Sequence, residues 1–267
     1  MSFKPVEFLK EDLGEGDRTT DWIVDENHTS RAIIIAKEEG VIAGQRYAKE
    51  IFKTLDPEIE YYEKKTDGEN VKKGDVITEI KGKTRAILTG ERVALNILQR
   101  LSGIATTTKR FVEATKGTKA KILDTRKTTP GLRDMEKYAV RAGGGENHRI
   151  TLSEMVLVKE NHIAIAGSIK EAIKRVKNKG IPIEVEVKNM DELKEAAGEE
   201  VDRILLDNWD IESIKEAVDF IDGRIPLEAS GNMTLEKAQK VAEKGVDYIS
   251  VGALTHSYKS LDLSLLI

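Results

Sequence analysis

The stretch IPIEVEVKNMDELKEAAGEEVDRILLDNWDIESIKEAVDFIDG, residues 181–223, passes twice through the same change of period. Ile183–Val187 is a short apolar run of strand length. Met190–Ala197 then repeats its apolar positions at helical spacing and stops at Gly198. Arg203–Leu206 is a second strand-like run, and Ile211–Phe220 a second helical one. Near-continuous apolar strands between amphipathic helices are what a parallel sheet covered on both faces requires.

The alternation extends in both directions. Lys121–Thr125, Met155–Val158, Pro226–Ala229 and Tyr248–Val251 read as further strands. Ser168 and Glu171 form a capping box that opens a helix over Ile169–Lys179, with Gly180 as its stop. Leu235–Lys244 is a helix ended by Gly245. Six such strands predict a closed or nearly closed β/α barrel, with a doubly wound sheet as the alternative.

Before residue 110 the style differs. Ala32–Ala36, Ile59–Tyr62, Val76–Ile80 and Thr84–Leu88 read as strands, with turns at Asp67-Gly68 and Lys73-Gly74 and a helix over Gln45–Lys53. Residues 68–82, GENVKKGDVITEIKG, read as two strands around a glycine turn, with Lys72 and Lys73 solvated. From Gly90 to about Lys116 the period is helical, which predicts a long helix joining the two parts.

Composition narrows the function. The 267 residues carry a net charge of −4 with both signs interspersed, so a nucleic-acid or membrane-surface binder is not expected. The absence of cysteine excludes disulfides, thiolate nucleophiles and zinc–thiolate centres. No apolar run approaches membrane-spanning length, and the expected compartment is the cytoplasm.

In β/α folds ligands sit at the carboxyl ends of the strands. Those ends here are Thr125-Arg126-Lys127, Lys159, Asp207-Asn208, Ser230-Gly231-Asn232 and Gly252, and the third strand contains Glu184 and Glu186. Polar groups at nearly every strand end predict one convergent site. Arg126, Lys127, Arg149 and Lys159 supply cations, while Glu186 and Asp207 supply carboxylates. The small residues at the last two strands let a phosphate approach backbone N–H groups, with the helix from Leu235 behind them. A phosphorylated sugar and a carboxylate-rich partner would satisfy this set.

Other polar residues read more plainly. Arg133, Lys137 and Arg141 lie at helical spacing among Asp134 and Glu136, which predicts a solvated helix face. His148 and His162 lack metal-ligand spacing and read as hydrogen-bonding histidines. Glu184 and Glu186 face the same way on one strand, so at least one needs a partner; Glu228 reads as a structural strand residue. Gly143–Gly145 reads as backbone packed closely beside the site, and as the hinge that returns Asn147-His148-Arg149 to it.

The chain resembles the quinolinate phosphoribosyltransferases. The resemblance runs through GDRTT at 16–20, ERVALNILQRLSGIAT at 91–106, DTRKTTPGLRDMEKYAVRAGGGENHR at 124–149 and LVKENHI at 157–163. It continues through EVEV at 184–187, LLDN at 205–208, EASGNM at 228–233 and ISVGALTHS at 249–257. It implies an N-terminal open-faced α/β sandwich over residues 1–108 and an incomplete β/α barrel of the TIM type over 109–267, the C-terminal tail packing back on the first domain.

The activity it implies is transfer of the phosphoribosyl group of phosphoribosyl pyrophosphate (PRPP) to quinolinate with decarboxylation. It also implies magnesium and a homodimer or larger homo-oligomer. Arg92, Thr125, Arg126, His148, Arg149 and Lys159 match quinolinate-binding positions, Arg92 reaching the neighbouring subunit's site. Lys127, Glu186 and Asp207 match catalytic positions, the two carboxylates contacting magnesium or the ribose hydroxyls. Lys127, Ser230, Gly231, Asn232, Ser250, Val251 and Gly252 match PRPP-binding positions, with Asn232 standing where the family often has a second glycine.

Overall fold

The computed structural model describes residues 3–267. They form two compact units. The first runs from Phe3 to Lys109 and includes Asp134–Gly144 and Tyr258–Ile267; the second comprises Arg110–Arg133 and Gly145–Ser257.

In chain order the elements of the N-terminal part are α1 (Pro5–Leu13), α2 (Arg18–Ile23), β1 (Thr29–Ala36), β2 (Gly40–Val41) and α3 (Gln45–Leu55). They continue with β3 (Glu60–Glu63), β4 (Asn70–Val71), β5 (Val76–Lys83) and the 31-residue α4 (Thr84–Ala114). The remainder contains β6 (Lys121–Leu123), α5 (Arg133–Ala142), β7 (Val156–Val158), α6 (Glu160–Ala166), α7 (Ile169–Val176) and β8 (Ile183–Val187). It ends with α8 (Met190–Ala197), β9 (Arg203–Asp207), α9 (Ile211–Ile221), β10 (Leu227–Ser230), α10 (Leu235–Glu243), β11 (Tyr248–Ser250), α11 (Ala253–His256) and β12 (Leu263–Leu266).

The first unit is built on an antiparallel sheet of order β12-β1-β5-β3. Strand β12 comes from the C-terminal tail and pairs Ile33 with Leu266. The sheet buries Ile34, Ile77 and Ile80, α3 buries Ile51 and Phe52, and α4 buries Leu95, Leu98 and Leu101. Each such side chain contributes about 1.5–3 kcal/mol through burial.

One expectation fails in this unit. Thr84–Leu88 is the first turn and a half of α4, not a strand. Ile87, Ala94, Leu98, Leu101 and Ala105 are all buried, so residue 87 already lies on the helix's apolar stripe. That stripe outweighs the β propensity of five residues. The two strands expected within residues 68–82 are present as β4 and β5, on either side of the left-handed Gly74; β4 pairs with β2, while β5 pairs with β1 and β3.

The second unit holds a six-stranded parallel sheet of order β6-β11-β10-β9-β8-β7. From β7 to β11 each strand lies beside its successor in sequence, and β11 lies beside β6. That is the cyclic order of a β/α barrel, left unpaired between β6 and β7. The doubly wound alternative requires a reversal of strand order, and none occurs.

The local signals explain the helix ends. Ser168 accepts the Glu171 N–H at 3.1 Å and opens α7, which stops at Val176 because Asn178 and Gly180 are left-handed. Asn189, Asp210 and Thr234 cap α8, α9 and α10 with their side chains.

Candidate active site

The unpaired seam organises the site. Glu146 forms a parallel bridge with Leu123 on the free edge of β6. Its N–H donates to the Ile122 carbonyl at 2.8 Å and its own carbonyl accepts from Asp124 at 3.2 Å. Because the bridge is parallel, the following residues run side by side. The buried Asp124 carboxylate accepts the His148 N–H at 2.9 Å and the side-chain amide of Asn147. Asn147-His148-Arg149 is thereby returned to Thr125-Arg126-Lys127.

Of the three glycines before it, Gly144 is left-handed at φ 88°. The close packing falls on Gly143, where an added Cβ would lie 2.4 Å from the Ala105 carbonyl of α4. That contact is with a helix, not with ligand-facing loops.

The solvated face expected for α5 is largely absent. Arg133 donates to Thr128 Oγ1 at 3.0 Å and to the Ile150 carbonyl at 3.1 Å, tying the loop after β6 to the chain beyond Arg149. Glu136 and Lys137 are buried, and Glu136 accepts from Arg100 Nε at 3.1 Å. Only Arg141 of the three cations is exposed. Charges at helical spacing look solvated until a buried partner is supplied, here by α4.

Arg126 and Arg149 form the cationic part. Arg126 Nε is buried with no hydrogen-bond partner. Arg149 donates from Nη1 to the Met155 carbonyl at 2.7 Å. Burial, and then the charge of Arg126, lowers the proton affinity of Arg149. Two partly buried guanidiniums that repel each other create a demand for an anion.

Lys159, the residue before α6, sits 2.6 Å through Nζ from Glu186 Oε2 at the end of β8. Its backbone N–H donates to His162 Nδ1 at 3.0 Å, so His162 is a hydrogen-bonding histidine. Thr125 Oγ1 accepts the Lys127 N–H at 3.0 Å, and the Lys127 carbonyl accepts from Thr255 Oγ1 at 2.9 Å. The stem of Lys127 lies over Gly252, where a Cβ would come within 3.0 Å of Lys127 Cδ.

The ends of β9 and β10 are joined through Asn208, which sequence reasoning noted but did not assign. Its Nδ2 donates to Asp207 Oδ2 at 2.9 Å, and its N–H donates to the Ser230 carbonyl at 3.0 Å. Its Oδ1 accepts from Asn232 Nδ2 at 3.4 Å. Asn208, Gly231 and Asn232 are all left-handed, at φ 60°, 99° and 47°. A Cβ on Gly231 would lie 2.1 Å from Asn208 Oδ1, so only glycine fits there. Asn232 supports its own conformation, since Asn tolerates the left-handed region. Lys237 of α10 adds an unforeseen cation, its Nζ donating to the Gly231 carbonyl at 3.0 Å.

Ser250, Val251, Gly252, His148 and Arg92 complete the set matched to the site. Ser250 is buried and its hydroxyl hydrogen-bonds Glu228. The Val251 N–H is taken by the Leu123 carbonyl at 2.9 Å. Gly252 remains beside Lys127. His148 is 9% exposed, with Nδ1 accepting the Arg149 N–H at 2.8 Å and Nε2 lying 2.9 Å from Glu184 Oε2. Arg92 belongs to the first unit, exposed on α4 and 3.8 Å from Glu91.

Glu184 and Glu228, both fully buried, lie with His148 so that one ligand atom from each falls within 4.8 Å of the others. Glu228 also pairs with Arg203 at 2.7 Å, a contact between adjacent strands. This buried group already contains a guanidinium and offers little room for the waters that magnesium retains. Glu186 and Asp207 suit that ion better. They are oxygen donors at the ends of adjacent strands, each with one oxygen occupied, by Lys159 and Asn208 respectively.

Comparisons with known proteins agree along the whole chain. Residues 17–102 match the N-terminal domain model of quinolinate phosphoribosyl transferase, and residues 104–266 its C-terminal domain model. The probable nicotinate-nucleotide pyrophosphorylase (carboxylating) of Bacillus subtilis is 46% identical over 261 residues, covering 97% of this chain and 90% of the relative. Among solved structures, NadC from Streptococcus pyogenes has a TM-score of 0.95 and 41% identity, covering 100% of this chain and 98% of that one. The nicotinate-nucleotide pyrophosphorylase of Francisella tularensis has a TM-score of 0.91 and 44% identity, covering 98% and 93%. With both domain models matched in order over nearly the whole chain, the chain belongs to the quinolinate phosphoribosyltransferase family.

Proposed function

We propose that this protein transfers the phosphoribosyl group of PRPP to quinolinate and decarboxylates the product. The products are nicotinate mononucleotide, pyrophosphate and carbon dioxide, in a cytoplasmic step of NAD biosynthesis. The observation that carries this reading is the repelling pair Arg126 and Arg149, with a buried Nε on Arg126 that has no partner. Quinolinate presents two carboxylates on adjacent ring carbons, and guanidinium forks bind carboxylates bidentately. Lys159 adds a third cation at the same strand ends, and Thr125 a hydroxyl. An acceptor with one carboxylate would need fewer.

The reaction begins when the ring nitrogen attacks the anomeric carbon as the bond to pyrophosphate breaks. Positive charge develops on the ribose, where Glu186 and Asp207 supply carboxylates. Lys127 supplies a cation to the departing pyrophosphate. Ser230, Gly231 and Asn232 hold the ribose phosphate, with Lys237 fixing their loop through the Gly231 carbonyl. Magnesium suits the oxygen donors of Glu186 and Asp207, and when bound it offsets the charge of the phosphates. Once ribosylated, the ring nitrogen is an electron sink, and loss of the adjacent carboxylate leaves a stabilised carbanion that takes up a proton. Positioning and electrostatics carry the rate, with no covalent intermediate.

The same reading includes a homodimer or larger homo-oligomer in which Arg92 enters the neighbour's site. Its support is that Arg92 is exposed and lies outside the barrel unit.

The test is an assay of the purified protein with PRPP and either quinolinate or nicotinate, following carbon dioxide. Turnover with quinolinate and release of carbon dioxide is expected. No turnover with quinolinate refutes the proposal.

A further inference from the structure

The interior of a β/α barrel is usually filled by branched apolar side chains. At one level of this barrel the filling is charged. Glu184 of β8 and Glu228 of β10 are fully buried, and Arg203 of β9 lies with them. Arg203 donates to Glu228 Oε2 at 2.7 Å, and its guanidinium carbon lies 3.9 Å from the centre of the Tyr248 ring. Both Glu184 oxygens and Glu228 Oε1 are buried without an aligned hydrogen-bond donor. Such groups are costly, and each calls for an explanation.

The explanation lies in what Glu184 faces. His148 Nε2 is 2.9 Å from Glu184 Oε2 and 3.6 Å from Glu228 Oε1. The other ring nitrogen, Nδ1, accepts the Arg149 N–H at 2.8 Å, so Nδ1 carries no proton. A neutral imidazole then holds its proton on Nε2, directed at the carboxylates. The approach is close without being in line, and the ring's place is set at three points. Nδ1 holds the Arg149 amide, the His148 N–H is held by Asp124 at 2.9 Å, and Nε2 faces Glu184.

We infer that Glu184, backed by Glu228 and Arg203, is a positioning residue for quinolinate. It fixes the tautomer and orientation of His148, and His148 in turn holds Arg149 beside Arg126. This rests on the proposed function, since it assigns to the cluster control over one substrate of that reaction. On that reading PRPP is held by Lys127, Glu186, Asp207 and the loop Ser230-Gly231-Asn232, whereas the ring of His148 is bonded to Arg149.

Two exchanges separate this role from mere packing. Glu184→Met conserves volume but removes the acceptor for Nε2–H, whereas Glu184→Gln keeps one. Glu184→Met should raise the KM for quinolinate about 10- to 100-fold, the range for a lost hydrogen bond to a charged group. The KM for PRPP should stay within about threefold of wild type on the same reasoning, and Glu184→Gln should restore quinolinate KM to within about threefold. Equal rises in both KM values, or no rescue by Gln, overturn the inference. If the wild-type protein itself fails to turn over quinolinate, it is the proposed function that falls. The wild-type protein gives a check free of any folding defect. Nitrogen NMR of the imidazole should show His148 protonated at Nε2 alone, and a proton on Nδ1 overturns the assignment.

Discussion

A guanidinium with a buried, unpartnered Nε, set beside a second guanidinium, is costly for a protein to keep without an anion to bind. Arg126→Ala should therefore weaken quinolinate far more than PRPP, by about 2–3 kcal/mol in binding free energy. Equilibrium titration with each substrate separately measures this, and equal losses would refute the assignment.

Glu228 makes a second prediction at the same scale. Its carboxyl is pushed up to about 7, first by burial and then by the charge of Glu184. His148, Arg203 and the Ser250 hydroxyl face it and act in the opposite direction. The folded protein thus keeps this proton up to about pH 7, while the unfolded chain loses it from about 4.5. Across that window the unfolded state binds fewer protons, so this group's contribution to stability falls as pH rises, then stays level. The full effect is at most on the order of 3 kcal/mol. Glu228→Gln lacks the slope, so its stability relative to wild type should climb between pH 4.5 and 7. Urea unfolding at a series of pH values tests this, and a constant offset would sink it.

Among the elements, α4 shows where local rules mislead. Exchanging a glycine within an exposed helix for alanine ordinarily gains about 1 kcal/mol. Gly103 is different, because a Cβ there would lie 2.2 Å from the Lys259 carbonyl and 2.9 Å from Ser260 Cα. The tail is anchored to the same helix by Leu261 N–H donating to the Gln99 carbonyl at 2.9 Å. Gly103→Ala should destabilise the protein by about 1–3 kcal/mol through overpacking, and a higher melting temperature would contradict this. The same helix explains what was legible. Its apolar stripe is plain from residue 90 onward, yet its first turn looked like a strand because Thr84–Leu88 is too short for period to outweigh propensity. The strands of the barrel were legible because each carries a short apolar run with a polar residue at or just beyond its end. The buried faces of α5 and of the barrel interior were not. Glu136, Lys137, Glu184 and Glu228 are buried charged residues, and the partners of the three glutamates, Arg100, His148 and Arg203, lie far from them in sequence.

For the molecule as a whole, most of the residues matched to the site are contributed by one unit, but Arg92 lies on the other. The two units were visible as a change of style near residue 110. The tail's return to the first sheet and the placing of Asp134–Gly144 in the first unit depend on long-range pairing that no local pattern encodes. If Arg92 completes a neighbour's site, each site in an oligomer draws Lys127 from one chain and Arg92 from another. Arg92→Ala and Lys127→Ala should each be nearly inactive alone. In a mixed dimer, the site with Lys127 from the first variant and Arg92 from the second is intact, while the other site lacks both. Random exchange makes about half the dimers mixed, so activity should return to about a quarter of wild type. Differently tagged subunits allow exchange to be verified before activity is read. Mixed dimers that form and remain inactive would exclude a shared site and confine catalysis to residues of a single chain.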